Sequence, residues 1–382
     1  FFIALFPGFL NFFLLLCLIL DERQTNPALA TYPGLSVIVC AYNEEKCIYK
    51  TITSLLEQAY PGPIEILVMD DGSTDNTYEI ASQIKSSFMK IYQLGHQGKA
   101  NALNTGLVAA KYDLIVSLDA DTFLHKKALM NITHAIEAEN GVWAAIAGSV
   151  YVQTGSWIQA LQKWDYLQGI STVKKVQSLF HCIMVAQGAF SIYRKKFLQD
   201  IGGWPNKIGE DIVITWGLLE KKHKIGWAKD AIATTSAPNS YKAFFYQRAR
   251  WARGLIEAFR THPKILLRRQ YASFYVYTNL LFPIMDFAYV FILTPGIFAA
   301  FLGNYLIAGL FTLLVLPFAI ASNLIIYFKQ KEILNAAEYP VPKINLSFVA
   351  YMLFYQMIMA PACVYGYCQE FFARKRIWGP GK

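Results

Sequence analysis

Short apolar runs alternate with stretches of mixed polarity between about residues 31 and 240. Leu35–Ala41 (LSVIVCA), Ile64–Met69 (IEILVM) and Leu114–Leu118 (LIVSL) are almost wholly apolar, and Ile91–Leu94 is a shorter run of the same kind. Runs of this length predict strands covered on both faces. The stretches between them, to about Gln58 and over Gly98–Ala110, have helical spacing. Strand–helix alternation predicts a parallel α/β sheet. The turn Pro61-Gly62-Pro63 precedes the second strand, and Asp75 is placed to cap the helix after it. In such sheets ligands gather at the carboxyl ends of the strands. Those ends are polar here: Tyr42-Asn43-Glu44-Glu45, Asp70-Asp71-Gly72-Ser73 and Asp119-Ala120-Asp121.

The chain is apolar at both ends. Residues 1–20 carry no charge and are long enough to span a bilayer. They lack the basic start and small-residue cleavage site of a signal peptide. The chain does not start with Met, which leaves room for a preceding segment. From about 271 the segments 277–302, 305–328 and 346–368 are candidate spans, with Pro283, Pro295 and Pro361 tolerated where neighbours satisfy the freed backbone groups. The expected organisation is a transmembrane helix at 1–20, an α/β domain at 31–240, amphipathic interface helices at 241–270 and two or three spans within 271–370.

Composition agrees. The chain of 382 residues is 55% hydrophobic, too apolar for an ordinary soluble protein. The net charge of +9 raises a nucleic-acid partner, but much of the excess lies in 242–269, just before the apolar region. Juxtamembrane basic clusters favour the cytoplasmic leaflet and anionic lipid, so the central domain is expected on the cytosolic side and no nucleic acid is expected. The six cysteines show no metal-ligand spacing and fit reduced thiols. Three C-terminal crossings would put Arg374-Lys375-Arg376 outside, against the positive-inside tendency. Re-entry near Pro361 would keep them inside.

The polar tips carry the chemistry. Asp70-Asp71-Gly72-Ser73 can accept hydrogen bonds from a base or ribose, or can simply cap a helix. Asp119 and Asp121 can point into one cleft, one toward a ribose and the other holding a hard divalent cation against a diphosphate. The plain alternative is a pair of solvated loop acids. His96, Lys99 and Asn101 open a helix where phosphate could meet the dipole. Gly209-Glu210-Asp211 precedes a helix over Ile212–Lys221, where an acid is either a cap or a general base. Gln187-Gly188-Ala189-Phe190 is a small-residue turn that a sugar could approach. Gln247, Arg250 and Trp251 in QRARW share a helix face, suited to a diphosphate and a flat pyranose, within a helix that would also lie on a membrane. Neither GxGxxG nor a Walker sequence is present, which disfavours a dinucleotide dehydrogenase or P-loop NTPase, and His125 and His134 have no zinc partner.

Together AYNEE, DDGS, DAD, GED and QxxRW resemble the processive family 2 glycosyltransferases, which include cellulose, hyaluronan, chitin and poly-N-acetylglucosamine synthases. Within that group the run TSAPNSYKAFFYQRARWARGLIEAF and the compact size are most similar to the bacterial poly-β-1,6-N-acetylglucosamine synthases. The resemblance covers about 35–270 and the membrane region after it. It implies an α/β GT-A domain, Rossmann-like in its sheet and inserted between transmembrane helices, and a UDP-sugar donor. It places Ala41, Tyr42, Glu44 and Asp71 around the uridine, with Lys99 near the nucleotide. Asp119 and Asp121 would serve ribose, diphosphate and Mg²⁺ or Mn²⁺, Asp121 being the metal ligand. Asp211 would be the base. Gln247 and Arg250 would meet the diphosphate, and Trp251, Gly188 and Glu210 the acceptor. The base motif reads Gly-Glu-Asp where the family often has Thr-Glu-Asp or Gly-Asp-Asp. No cyclic-di-GMP-binding domain follows the helices, which disfavours a bacterial cellulose synthase. The implied protein is a multi-pass enzyme of the inner (plasma) membrane. It would extend a β-linked polysaccharide from UDP-N-acetylglucosamine, with lipid and a small membrane subunit as further partners. Single-sugar transfer to a polyprenyl or other lipid is the rival, and a non-catalytic membrane scaffold the alternative from another class.

Overall fold

The computed structural model describes residues 12–21, 29–268 and 271–372. Residues 12–20 form helix α1; the rest of the expected span at 1–20 and the basic tail at 374–376 lie outside the described residues. Then follow β1 (Leu35–Ala41), α2 (Ile48–Leu56), β2 (Ile64–Asp70), α3 (Thr77–Gln83), β3 (Met89–Gln93), α4 (Lys99–Ala109) and β4 (Leu114–Asp119), in the alternation that the hydrophobic pattern predicts. β5 (Thr122–Leu124), α5 (Ala128–Gly141), β6 (Trp143–Val152), α6 (Trp157–Trp164), a π-helical turn at Asp165–Ile170, α7 (Ser171–Leu179), β7 (Phe190–Arg194), α8 (Lys195–Asp200), α9 (Glu210–Glu220) and β8 (Lys224–Thr235) complete the domain.

All eight strands join one sheet in the order β3-β2-β1-β4-β7-β6-β8-β5. β1 to β4 pair in parallel, whereas β7 is antiparallel to both β4 and β6, and β5 is antiparallel to β8. The sheet is therefore mixed, a correction to the parallel sheet expected from the pattern. The cause is local. The chain reaches β7 through Gly188 and Ala189 at the carboxyl end of β4, where Asp119 N donates to Ala189 O at 3.3 Å and Ser117 Oγ to Gly188 O at 3.1 Å. From there β7 can only run back down the sheet, and an apolar run carries no mark of its direction.

Burial on both faces explains the unbroken apolar runs. Ile38, Cys40, Leu67 and Met69 pack into one core, and their alternates Val37, Val39, Ile66 and Val68 into the other. Register then sets the site. Ala41 lies opposite Asp70 and Cys40 opposite Asp119, so three strands end at one level.

α10 (Tyr241–Thr261) is capped by Ser240, whose hydroxyl accepts from Ala243 N at 3.3 Å. It leads through a 3₁₀ turn at Pro263–Leu267 to α11 (Tyr271–Ala288), a π-helical turn at Tyr289–Leu293, α12 (Thr294–Phe301), α13 (Leu310–Leu313), α14 (Val315–Ala336) and α15 (Leu346–Phe371). Two stretches among the described residues, Tyr271–Phe301 and Leu346–Phe371, are long and apolar enough to cross a membrane. Pro283 and Pro361 lie inside continuous helices, so the chain does not turn back at Pro361. The segment expected as a span at 305–328 is divided instead. α13 and α14 meet at Leu314, and α14 continues to Ala336 through the polar run Lys329-Gln330-Lys331-Glu332. Phe291, Phe298, Phe301 and Leu302 stand outward and leave an apolar surface.

Candidate active site

The loop after β1 is laced to the loop after β2. Asn43, in the left-handed region at φ 57°, accepts from Thr74 N at 2.8 Å through its side chain. Its own N–H donates to Ser73 Oγ at 3.0 Å, and Glu44 N donates to Thr77 Oγ1 at 2.7 Å. Asp70 accepts from the Ser73 hydroxyl. Asp75 receives Thr77 N at 3.0 Å, the capping role expected of it. Gly72 is required twice over: its φ is 73°, and a Cβ there would lie 2.9 Å from His96 N.

Asp71 is almost wholly buried, and its carboxylate accepts from Gln97 N at 3.0 Å and Gly98 N at 2.9 Å and pairs with His96 Nδ1 at 2.9 Å. It thereby fixes the loop that delivers Lys99 to the first turn of α4. The Tyr42 and His96 rings stack beside it, 4.1 Å apart and 21° from parallel, and form a flat aromatic surface at the tip of β1.

Lys99 joins the two halves of the cleft. Its Nζ lies 2.6 Å from Asp119 Oδ1 and 3.1 Å from Glu210 Oε1. Burial alone would lower this ammonium, but Asp119 and Glu210, with Asp211 behind them, outweigh it and hold it well above its ordinary range. Burial also raises the Glu210 carboxyl, opposed by Lys99 and Arg250. Gly188 closes the pocket; a Cβ there would meet Lys99 Nζ at 2.5 Å. Gly188 N donates to Asp211 Oδ2 at 3.4 Å, and Ile212 N to Asp211 Oδ1 at 2.8 Å. The structure thus gathers Lys99, Asp119, Gly188, Glu210 and Asp211.

Asp121 sits across from them, accepting from Thr122 Oγ1 at 3.2 Å and Thr235 Oγ1 at 3.3 Å. Burial and then Asp119 push its carboxyl upward. Glu44 is raised to about 8 by burial, then by Asp121, Asp119 and Asp75. A hard divalent cation beside Asp121 and Asp119 would relieve this repulsion. Among the described residues no group of three or more His, Cys, Asp or Glu side chains is arranged to hold a metal, so such an ion would complete its shell with phosphate oxygens and water.

α10 borders this cleft. Gln247 and Arg250 are half-buried on it, and Gln247 Oε1 has no hydrogen-bond partner among the described residues. Trp251 is 38% exposed. The Arg248 guanidinium lies 4.2 Å from the Trp251 ring and 3.0 Å from Asp165 Oδ2, while Tyr355 OH donates to that same oxygen at 2.9 Å. Asp165, Tyr166 (whose ring is 6.3 Å from Trp251) and Tyr355 were not singled out by sequence reasoning. No local signal marks them, since Asp165 and Tyr355 lie far from Arg248 in the chain.

Lys174 is a further residue that the sequence did not mark. Burial lowers its ammonium to about 7 against the pull of Asp211. Between about 7 and 10.5 the folded protein holds fewer protons at this group than the unfolded chain, so its contribution to stability rises with pH across that window. Lys174→Met is therefore expected to melt higher than the parent at pH 7, by about 5 °C. The gain should shrink toward pH 10. Thermal melts in detergent across this range check it, and an unchanged difference at all pH values would count against it.

A curled mixed sheet with acids at the tips of β1, β2 and β4 is the GT-A glycosyltransferase fold. The solved structure of a mannosyltransferase from Pyrobaculum calidifontis, in complex with GDP-Man and Mn²⁺, superposes with a TM-score of 0.67 over 98% of this chain and 99% of that one, at 18% identity. Residues 36–202 match the model for glycosyl transferase family 2. Among curated proteins it is similar to the poly-β-1,6-N-acetyl-D-glucosamine synthase of Staphylococcus epidermidis, 33% identical over 225 residues, which are 58% of this chain and 54% of the relative. The synthase of Staphylococcus aureus strain COL is 30% identical over 224 residues, with the same shares of each chain. These matches span about half the length of each relative.

Proposed function

We propose that the chain is a membrane-associated, inverting glycosyltransferase that extends a β-linked polysaccharide from a UDP-sugar, UDP-N-acetylglucosamine foremost. The carrying observation is the convergence of Lys99, Asp119, Gly188, Glu210 and Asp211 beside the helix that holds Gln247, Arg250 and Trp251. Similarity to poly-β-1,6-N-acetyl-D-glucosamine synthases supports the choice of sugar.

In this reading Ala41, Tyr42, Glu44 and Asp71 form the uridine end, Asp71 through the loop it fixes, and Asp119 meets the ribose. Lys99, Gln247 and Arg250 face the diphosphate, while Gly188, Glu210 and Trp251 border the acceptor sugar. Asp211 takes the proton of the acceptor hydroxyl as that oxygen bonds to the donor's C1 from the face opposite UDP. The C1–O bond to the diphosphate breaks, UDP leaves with the electron pair, and the anomeric centre inverts. Asp121, with Asp119 beside it, would hold Mg²⁺ or Mn²⁺, whose chemistry when bound is to neutralise charge on the departing diphosphate. The Mn²⁺ in the mannosyltransferase of the same fold supports a divalent ion. The two apolar stretches would anchor the enzyme in the inner membrane with the domain on the cytoplasmic side, where lipid, the growing chain and a small membrane subunit are its partners.

UDP release by the purified protein in detergent, with Mg²⁺ or Mn²⁺ and a panel of UDP-sugars, tests this, with the product sized by gel or mass spectrometry. A polymer from UDP-N-acetylglucosamine is expected. One sugar per lipid would replace the reading with single transfer.

Trp251 offers a second check. Asp165 and Tyr355 hold Arg248 against one face of the indole. Asp165→Asn weakens that support and is expected to raise the acceptor KM by about tenfold, the scale of a loosened charge-assisted contact, with the donor KM unmoved. Steady-state kinetics with varied acceptor oligosaccharide reads it, and an unmoved acceptor KM would sink the assignment.

A further inference from the structure

α10 is wedged between the base loop and the last apolar helix. On one side, Glu257, which is 2% exposed, accepts from Gly209 N at 3.1 Å through Oε2. Gly209 immediately precedes α9, whose first turn carries Glu210 and Asp211. A Cβ on Gly209 would lie 2.5 Å from the Cα of Gly254, and one on Gly254 would lie 2.8 Å from the Cα of Gly209. The two backbones touch there with no side chain between them. On the other side, a Cβ on Gly366 of α15 would lie 2.3 Å from Ala249 O of α10, a second contact between bare backbones. Glu370, near the end of α15, takes Arg253 Nε at 3.2 Å and Arg260 Nη1 at 3.1 Å and so fixes α10 along its axis.

Backbone contacts of this kind leave no compliant side chain to absorb a shift. A displacement of α15 therefore passes to α10, and from α10 to the N-terminus of α9. Ala249 and Gly254 lie on different faces of α10, as a spacer requires. The same helix carries Trp251, so this acceptor group and the base move as one piece.

We infer that Glu257 is a positioning residue for Asp211, and that α10 is a rigid spacer through which α15 sets the base. This rests on the reading of Asp211 as the base. A carboxylate misplaced by about 1 Å can cost on the order of 10²-fold in rate, while donor binding does not depend on it. Glu257→Leu removes the acceptor for Gly209 N and should lower kcat by about 10- to 100-fold with the donor KM unchanged. Glu257→Gln keeps a carbonyl oxygen and should restore most of the rate. Glu370→Gln, which loosens α15 from α10 far from the cleft, should lower kcat in the same direction.

The experiment is steady-state kinetics of the full chain in detergent, with rates normalised to folded sites counted by UDP titration, and Asp211→Asn run alongside. Normalisation separates positioning from folding, because a purely structural Glu257 would reduce the number of sites and leave kcat per site intact. Loss of kcat per site in Glu257→Leu, rescued in Glu257→Gln, is the expected result. Wild-type kcat per site in Glu257→Leu, or a raised donor KM with kcat unchanged, overturns the inference. Turnover retained by Asp211→Asn would instead remove the base reading beneath it.

Discussion

Asp211→Asn is expected to reduce turnover by about 10²- to 10⁴-fold, the range a general base supplies, while UDP binding stays close to that of the parent. The substitution is nearly isosteric. Asparagine keeps one carbonyl oxygen for Gly188 N or Ile212 N, so the start of α9 should hold its shape. What it lacks is the capacity to take a proton. In the proposed reading the donor end lies mainly on other elements, at the tips of β1, β2 and β4, the start of α4 and α10, whereas the hydrogen bonds of the Asp211 carboxylate go to Gly188 N and Ile212 N. Calorimetric titration of UDP beside a UDP-release assay separates the two properties. Turnover near the parent's would refute the base assignment, and lost UDP binding would show that Asp211 shapes the donor pocket.

Lys99→Met should be the most destabilising single change in the cleft. Lys99 is the cation between Asp119 and Glu210, and its removal leaves two carboxylates facing each other with Asp211 close by. Breaking one partner of a buried ion pair costs about 3–5 kcal/mol, and the low end applies because Asp119 is 31% exposed. Glu210, already raised by burial, should rise further once the Lys99 charge that opposes the rise is gone. Activity should fall by about 100-fold or more through loss of a preorganised positive charge. Arginine should not rescue it: Gly188 leaves no room beside Nζ, and a guanidinium is wider than an ammonium. Chemical denaturation gives the stability and UDP release the rate. A Lys99→Arg variant near parental activity would show that the pocket yields more than its geometry implies.

What the chain shows before folding and what it conceals divide along a physical line. The strand tips that carry Tyr42, Asp71, Asp119 and Asp121 were legible because an apolar run that stops at polar residues marks both the strand and its end. QRARW was legible because its residues share a helix face by spacing alone. The direction of β7 was not, since Phe190–Arg194 reads the same in either orientation and only the contacts of Gly188 and Ala189 at the end of β4 decide it. Nor could spacing reveal that the Asp71 carboxylate serves Gln97 and Gly98, that Lys99 bridges to Glu210, or that Arg248 meets Asp165 and Tyr355. Each of these pairs joins different elements. The division of the apolar segment at 305–328 was hidden for the opposite reason: hydropathy measures composition and does not see the break at Leu314.

The placement of β7 bears on how such enzymes could be recombined. In the proposed reading the groups facing the nucleotide lie mainly between residues 41 and 121, and those facing the acceptor mainly between 188 and 251, an order that invites exchange of whole halves between relatives. Yet β7 belongs to the second half and is hydrogen-bonded between β4 of the first half and β6. A crossover after β4 therefore cuts through the middle of a sheet rather than between modules. A working chimera must inherit the β4–β7 seam, including the Ser117–Gly188 bond, from a single parent.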